Sequence, residues 1–430
     1  GIGLMGVFNA FNANVSTVAG WGLGTSAVRT VAGAAETDKE RKVTAVRTFG
    51  RRLAWAGFFG ALILVLPVGY LTFKSQDYAL ELLIAGLAVP CVVATGMWTA
   101  LLQAGGHIGS MAKTQMASSV VGLLIGLPFI YFFGSVGIAL SILLAAAVPA
   151  FVLWRAARSD CQVSANKSAE SADLGHLVRL GGVLMLVGWL GQFSAYLVRL
   201  AIVRHEGLDA AGYYQAAFAI SGSLPGFVFA AMGADFFPRV AAANDEEEAR
   251  QTTEKQIKAG LLLGAPLIMA LLTLGKLSIR LLYANGFDAA IPLLAWMTWG
   301  VFLRLITWPL GFWLLARGST RQVVWLEAVG AVVATLLPVL LLPRFGLVSA
   351  SVAFAIAAVA YGVAIGLVFR LKSGGWFGRE LHVWVIIAVA ALAAGQRWAS
   401  AQDGDYAGFV PVVFIGALCA WRYRQEMRTR

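Results

Sequence analysis

A few charged side chains interrupt long apolar segments of this sequence, and their chemistry needs an explanation. Arg304 lies near the middle of one apolar segment, and Glu327 lies a little over one turn into the next. Charge in hydrocarbon is costly and usually faces a water-filled cavity or a partner. Arginine binds phosphate through a planar fork of donors. We therefore expect Arg304 to line a cavity that favours an anionic ligand, with an ion pair to Glu327 as the alternative.

A second polar group lies in an earlier apolar segment. Gln192, Tyr196 and Arg199 are spaced i, i+4 and i+7, which places them on one face of a helix. This spacing predicts a second cavity-lining face. Arg199 lies near the outer end of its segment, so its guanidinium could equally extend to the membrane interface.

The first apolar segment carries a polar face formed by Asn9, Asn12 and Ser16. We keep Asn12 as a candidate substrate contact, although hydrogen bonding between helices is the commoner use of such residues. Near the cytoplasmic ends of two segments, Arg29 and Arg239 are further candidates. Arg239 could instead pair with Asp235 at a helix end.

No catalytic or metal-binding pattern is found in the sequence. The histidines are scattered through loops and lack paired acids, and the cysteines lack paired spacing. The sequence also lacks a Walker-type phosphate loop. We therefore predict no catalytic residue, no bound metal and no cofactor.

These residues must be held by helices that cross a membrane. Hydrophobic residues make up 59% of the chain and charged residues 13%, about half the charge of a typical soluble domain. Apolar runs of about 20 residues recur, each long enough to span a bilayer. We predict thirteen spans, at 4–27, 51–73, 79–102, 115–133, 136–154, 179–203, 210–233, 259–283, 290–316, 323–342, 347–371, 382–396 and 407–422.

The basic residues set the orientation of these spans. Of the 33 Lys and Arg residues, 25 fall on one side, which the positive-inside rule makes cytoplasmic. The net charge of +11 therefore reflects membrane topology, and we predict no nucleic-acid partner. This orientation places Gly1 outside and the C-terminus in the cytoplasm.

The chain resembles itself at an offset near 209 residues. Gly24 matches Gly233, residues 102–106 resemble 315–318, Pro128 matches Pro338, and Gly137 matches Gly346 at the start of a span. Six spans separate the copies, so both have the same topology, as in transporters with two lobes around a central cavity. The first copy has five visible spans, which suggests that a first span is missing. We predict an N-lobe at 1–160, a cytoplasmic linker at 161–175, a C-lobe at 176–372, and two extra helices at 373–430.

Several stretches resemble the Wzx-type flippases of O-antigen and other polysaccharide units. They are residues 20–29, 212–218, 231–239, 306–312 and 315–318. The resemblance implies the multidrug/oligosaccharidyl-lipid/polysaccharide exporter superfamily, with 12 or 14 spans in two lobes. It also implies a bacterial inner-membrane protein whose substrate is an undecaprenyl-pyrophosphate-linked oligosaccharide. Membrane lipids, and polysaccharide polymerase or chain-length proteins, are then the expected partners.

Three other functions are weighed against this one. A multidrug or cation antiporter of the same superfamily would depend on Glu81 or Glu327. A membrane polysaccharide polymerase or ligase would need a large outer loop with catalytic residues, and the predicted outer loops are short. A scaffold that transports nothing would tolerate loss of Arg304.

Overall fold

The computed structural model of the chain describes residues 1–32, 36–74, 77–106, 108–160 and 174–401. All regular elements in these ranges are helical. The helices are α1 Ile2–Gly20, α2 Leu23–Ala32, α3 Glu36–Phe73, α4 Ala79–Gly86, α5 Ala88–Ala104, α6 Ile108–Asp160, α7 Leu174–Ala241, α8 Glu246–Thr273, α9 Gly275–Leu282, α10 Ala290–Ala316, α11 Thr320–Phe345, α12 Val348–Ser373 and α13 Arg379–Ala401, with a 3-10 turn at Phe287–Ala289.

The protein is an all-α, multi-pass membrane protein. Nine helical stretches among the described residues are long and apolar enough to cross a bilayer. Two of them, Lys113–Ala157 and Gly181–Ser223, contain 45 and 43 residues, about twice the length of a single crossing. Each is broken by one glycine with positive φ, Gly134 or Gly207, and so covers two predicted spans. The predicted span 407–422 lies outside the described residues.

Several predicted spans are interrupted in ways that the sequence did not indicate. The span 4–27 divides into α1 and α2 because Trp21 and Gly22 both adopt left-handed backbone angles. The span 79–102 divides between α4 and α5 at Leu87. The chain turns at Gly134, where φ is 56°, so Gly137 lies in the first turn of the helical segment that follows.

An acidic run at 245–248 forms the start of α8. Asp245 caps the start of α8, where its side chain accepts a hydrogen bond from the backbone N–H of Glu248. Residues 246–248 fill the first turn of α8, where negative charge favours the helix dipole.

The helices form two compact units, one at Gly1–Leu208 and a second that begins at Asp209. This division lies beyond the predicted 161–175 linker, because the first half of α7 (174–206) contacts the first unit. Trp21 Nε1 donates to the carbonyl oxygen of Val178, and Asn14 Nδ2 donates to that of Gln192. The lobe limits expected from the sequence stay a prediction.

Each unit repeats one internal arrangement, as the sequence offset suggests. In the first unit α3 packs on α5, and α5 packs on α6. In the second unit α8 packs on α10, α10 on α12, and α11 on α12. Matching glycines with positive φ occur at Gly106 and Gly318, and at Gly134 and Gly346, each pair 212 residues apart. Such turns favour glycine because it has no Cβ.

Candidate functional site

Arg304 lies in the middle of α10, where a polytopic membrane protein has few reasons to place a cation. Its side chain is exposed, whereas its neighbours Phe302 and Leu305 are fully buried in the second unit. Among the described residues, no side chain or carbonyl forms a hydrogen bond or ion pair with its guanidinium. Two turns later on the same helix, Gly311 approaches the hydroxyl of Tyr361 on α12.

Glu327 on α11 is held by that same tyrosine. The Tyr361 hydroxyl donates a hydrogen bond of 2.7 Å to Glu327 Oε1. Gly330, one turn after Glu327, makes room for the ring, because a Cβ there would lie 2.9 Å from Tyr361 Cδ2. Gly311 on α10 leaves similar space, with a built Cβ 4.0 Å from the Tyr361 hydroxyl oxygen. The tyrosine is thus fixed where α10 and α11 both approach α12.

The second unit therefore joins a phenol to a carboxylate, on two helices that both pack against the helix carrying Arg304. We call these three residues (Arg304, Glu327 and Tyr361) the Arg304 cluster. Among the described side chains, Arg304 and Glu327 do not form the direct ion pair that the sequence left open, and Glu327 instead accepts a hydrogen bond from Tyr361. An exposed guanidinium within a membrane-spanning helix can bind an anion bidentately.

The predicted face of Gln192, Tyr196 and Arg199 does not act as one surface. Tyr196 is buried, and its hydroxyl lies 2.9 Å from Thr72 Oγ1 at the end of α3. Arg199 is only 7% exposed and donates to the carbonyl oxygen of Ala195 on its own helix. Gln192 is exposed. Two of the three side chains therefore lie in helix packing within the first unit.

Asn12 forms a hydrogen bond between helices, the commoner role of such residues. Its side chain is 6% exposed, and Nδ2 donates a 2.8 Å hydrogen bond to the carbonyl oxygen of Ala85 at the end of α4. Its Oδ1 accepts a hydrogen bond from Ser16 Oγ at 2.9 Å. Ala85 lies just before the break at Leu87, so Asn12 secures the point where that span is interrupted.

The remaining candidates lie near helix ends. Arg239, in the last turn of α7, is exposed, and its Nη2 lies 3.4 Å from Oε1 of the buried Gln256 on α8. The side chains of Arg29 and Asp235 lie outside the described set, although both residues are in helices.

A second carboxylate inside the apolar helices is Glu81, in the first turn of α4. It is 6% exposed and accepts a 2.8 Å hydrogen bond from Ser135 Oγ, just after the turn at Gly134. Within the described ranges, no lysine or arginine forms an ion pair with it.

Sequence reasoning missed Tyr361, which binds the carboxylate of the cluster. It lies in the alanine-rich segment 353–364, where a single tyrosine has no periodic partner. The available signal was that Tyr361 is the one phenol in an otherwise small and apolar span. Glycine at 330 is a weaker signal, because it becomes informative only once α11 and α12 are known to pack.

Comparison with known proteins adds a family and a fold. A family model described as "Polysaccharide biosynthesis protein" matches residues 2–292. A Shigella flexneri protein named "Putative O-antigen transporter" is 22% identical over 277 residues, which are 62% of this chain. The chain spans 65% of that relative's length.

The fold is shared with solved transporters. The lipid II flippase MurJ, in an inward closed conformation, superposes with a TM-score of 0.67 and 11% identity, over 99% of this chain and 97% of MurJ. A transporter of the multidrug/oligosaccharidyl-lipid/polysaccharide exporter superfamily from Pyrococcus furiosus superposes with a TM-score of 0.68 and 15% identity. The match covers 86% of this chain and 88% of that transporter. An inward-facing multidrug transporter of the same superfamily superposes with a TM-score of 0.60 and 17% identity, over 86% of this chain and 89% of that transporter.

Proposed function

The chain belongs to the polysaccharide biosynthesis protein family, and from that premise we propose that it is a flippase for a lipid-linked oligosaccharide. The substrate would be an O-antigen or similar repeat unit on undecaprenyl pyrophosphate. The protein would move it from the inner to the outer leaflet of the bacterial inner membrane. The segregation of basic residues supports this orientation, with the C-terminus in the cytoplasm.

Arg304 is the observation that carries the proposal. An exposed guanidinium in the middle of a membrane-spanning helix is costly unless it meets an anion or water. The pyrophosphate of a lipid-linked sugar is such an anion, and it matches the fork of donors that arginine presents. A neutral glycan alone would not require this cation.

The proposed mechanism is alternating access. Arg304 attracts the pyrophosphate from the cytoplasmic side while the prenyl chain stays in lipid. A rearrangement of the two units then exposes the head group to the outside. The flippase would supply repeat units to polysaccharide polymerase and chain-length proteins.

A multidrug or cation antiporter of the same fold is the rival. Such a protein would hold its substrate with carboxylates, here Glu81 and Glu327. Both accept a hydrogen bond from a neighbouring hydroxyl. Arg304 lies on α10, which packs against α11, and its positive charge favours an anionic over a cationic substrate.

The direct test is to delete the gene and analyse the lipid-linked intermediates that accumulate. The proposal predicts complete repeat units on undecaprenyl pyrophosphate, retained in the inner leaflet and inaccessible to an impermeant oxidant of sugars added outside. Restoring the wild-type gene should return them to the outer leaflet. Accumulation in the outer leaflet would point to a step after translocation, and normal polymer with altered drug resistance would favour the antiporter.

A further inference from the structure

The short helix α9, between α8 and α10, carries apolar side chains that the second unit leaves uncovered. It follows a break in the chain at Leu274, where the backbone leaves the helical region. Leu281 is 78% exposed and Leu282 is 65% exposed. An exposed apolar face of this kind marks a site of interaction with an apolar partner.

The side chains of α9 divide into three faces, because residues four apart lie on the same side of a helix. The packing face, the basic face and the apolar face are Gly275 with Ile279, Lys276 with Arg280, and Leu277 with Leu281. The packing face is buried in the second unit, whereas Arg280 and Leu281 are exposed. The helix is therefore amphipathic on the side that points away from the protein.

The length of α8 places α9 near the boundary of the membrane. Lys258 forms ion pairs with Glu254 and Glu380, which marks the polar end of the apolar part of α8. From Lys258 to Gly275 the chain rises about 25 Å, at about 1.5 Å per residue. Since a hydrocarbon core is about 30 Å thick, α9 begins before the core ends.

A second length, along α10, agrees with the first. A Cβ built at Gly275 lies 3.2 Å from Cδ2 of Leu294, so α9 packs on α10 at that residue. Leu294 lies about 34 Å along α10 from Arg317, which pairs with Glu246 at the opposite end. The two lengths lie on either side of about 30 Å, the thickness of the core. Helix tilt shortens both depths and moves α9 further into the bilayer.

Aromatic side chains meet at the same level. Tyr283, directly after α9, stacks on Phe287 with ring centroids 5.1 Å apart. Phe287 also makes a T-shaped contact with Tyr213 at 5.3 Å. Tyrosine is enriched where a bilayer meets water, because its ring is apolar and its hydroxyl is polar. The three aromatic residues therefore indicate the same boundary as the two helix lengths.

We propose that α9 is an interfacial helix that lies in the outer leaflet of the membrane and binds its phospholipids. Its leucine side chains insert among the acyl chains, and its basic face lies at the level of the phosphate groups. Arg280 Nε also lies 3.3 Å from Asp288 Oδ1, and residues 274–289 together keep one net positive charge, which suits a phosphate-rich surface. The outer leaflet follows from the orientation predicted by the basic residues. This interaction is independent of the transported substrate.

The experiment measures the depth of nitroxide labels on α9 by electron paramagnetic resonance. The full-length protein is first made cysteine-free by Cys91→Ser, Cys161→Ser and Cys419→Ser, and its melting temperature is compared with that of wild type. Single cysteines are then introduced and labelled as Lys276→Cys, Leu277→Cys, Arg280→Cys, Leu281→Cys and Leu282→Cys. The labelled proteins are studied in liposomes of phosphatidylethanolamine and phosphatidylglycerol.

Accessibility to oxygen and to a water-soluble nickel chelate gives the depth of each label. Phospholipids labelled along the acyl chain provide the depth scale. Gln251→Cys provides the aqueous reference, because Gln251 is exposed near the charged start of α8. Lys276→Cys is the matched control on α9 itself, since it lies on a different face from the leucines.

Labels at Leu277 and Leu281 should lie about 5–10 Å below the phosphate level, with high accessibility to oxygen and low accessibility to nickel. Labels at Lys276 and Arg280 should be shallower, so that depth follows the helical period along α9. In spheroplasts, an impermeant thiol reagent added outside should react with Lys276→Cys.

Three results would overturn the proposal. Leucine-face labels that match Gln251→Cys in nickel accessibility would place α9 in water. Low accessibility to both reagents would show that a second copy of the chain, rather than lipid, covers the leucines. Reaction of Lys276→Cys with the external reagent only after permeabilisation would place α9 on the cytoplasmic side.

Discussion

The two units repeat one helix arrangement but use their polar residues differently. In the first unit, Asn12 and Tyr196 pair with groups on neighbouring helices, and Arg199 is buried against its own helix. In the second, Arg304 remains exposed on α10, and Tyr361 on α12 donates a hydrogen bond to Glu327 on α11. The comparison teaches that a polar residue within a membrane span indicates a ligand only when the surrounding helices leave it available.

The largest expected effect comes from replacing Arg304 and, in a separate variant, Arg199 with glutamine. Arg304→Gln should reduce polysaccharide export at least about 30-fold, the effect of losing about 2 kcal/mol of charged contact. Arg199→Gln should lower the amount of folded protein but preserve export per molecule. Surface polymer, normalised to membrane-inserted protein, measures both. Equal losses per molecule would erase the distinction between the units.

Packing of the first unit provides the next test. The backbone at Trp21 and Gly22 touches the helix 174–206 so closely that a Cβ at Gly181 would overlap the carbonyl oxygen of Trp21. At Gly182 a Cβ would lie 3.5 Å from the indole ring, an ordinary contact. Gly181→Ala should therefore destabilise the protein by about 1–3 kcal/mol.

The control for this prediction is Gly182→Ala, one residue along the same helix. Thermal unfolding in detergent should show a clear drop for the first variant and little change for the second. If both variants unfold alike, the contact between the α1 break and the helix 174–206 is not the close backbone approach described here.

Twelve of the thirteen predicted spans fall on described helices, because runs of apolar residues are read directly from sequence. The breaks at Trp21 and Leu87 were not foreseen, since a tryptophan in a left-handed conformation has no sequence signature. Within the candidate site, Arg304 and Glu327 were recognisable as charges in apolar segments. Tyr361 was not, because its importance depends on which faces of α10, α11 and α12 meet.

In the second unit, ion pairs and a backbone hydrogen bond attach the start of α13 to α8. Lys258 Nζ on α8 lies 2.8 Å from Glu380 Oε2 on α13 and 3.5 Å from Glu254 Oε1. Glu254 Oε2 accepts a hydrogen bond from the backbone N–H of Gly378. Lys258→Met should weaken this attachment by about 0.5–1 kcal/mol.

Limited proteolysis within residues 374–378 would measure that change, because cleavage should become faster when α13 is less firmly held. Lys255→Met is the matched control, since Lys255 is exposed on the same helix. Faster cleavage in both variants would mean that general charge, rather than this ion pair, holds the segment.

The smallest effect concerns a surface pair at the start of α8. Hydrogen bonds from Arg250 and Gln251 lower the pKa of Glu247 from 4.5 to about 2. A depressed carboxylate pKa stabilises the fold above the unfolded value, and that contribution disappears as pH falls from 4.5 toward 2. The melting temperature of Glu247→Gln should thus lie slightly below wild type at pH 7, with a gap that narrows below pH 4.5. A difference in melting temperature that does not change with pH would show that hydrogen bonds to the Glu247 carboxylate do not stabilise the fold.

Reconstituted transport tests the central claim most directly. Purified protein in liposomes would be given a fluorescent undecaprenyl-pyrophosphate oligosaccharide, and the fraction reached by an impermeant quencher would be followed over time. Wild type and Glu81→Gln should move the lipid between leaflets at similar rates, whereas Arg304→Gln should stay near the rate of protein-free liposomes. Transport by Arg304→Gln at the wild-type rate would contradict the account.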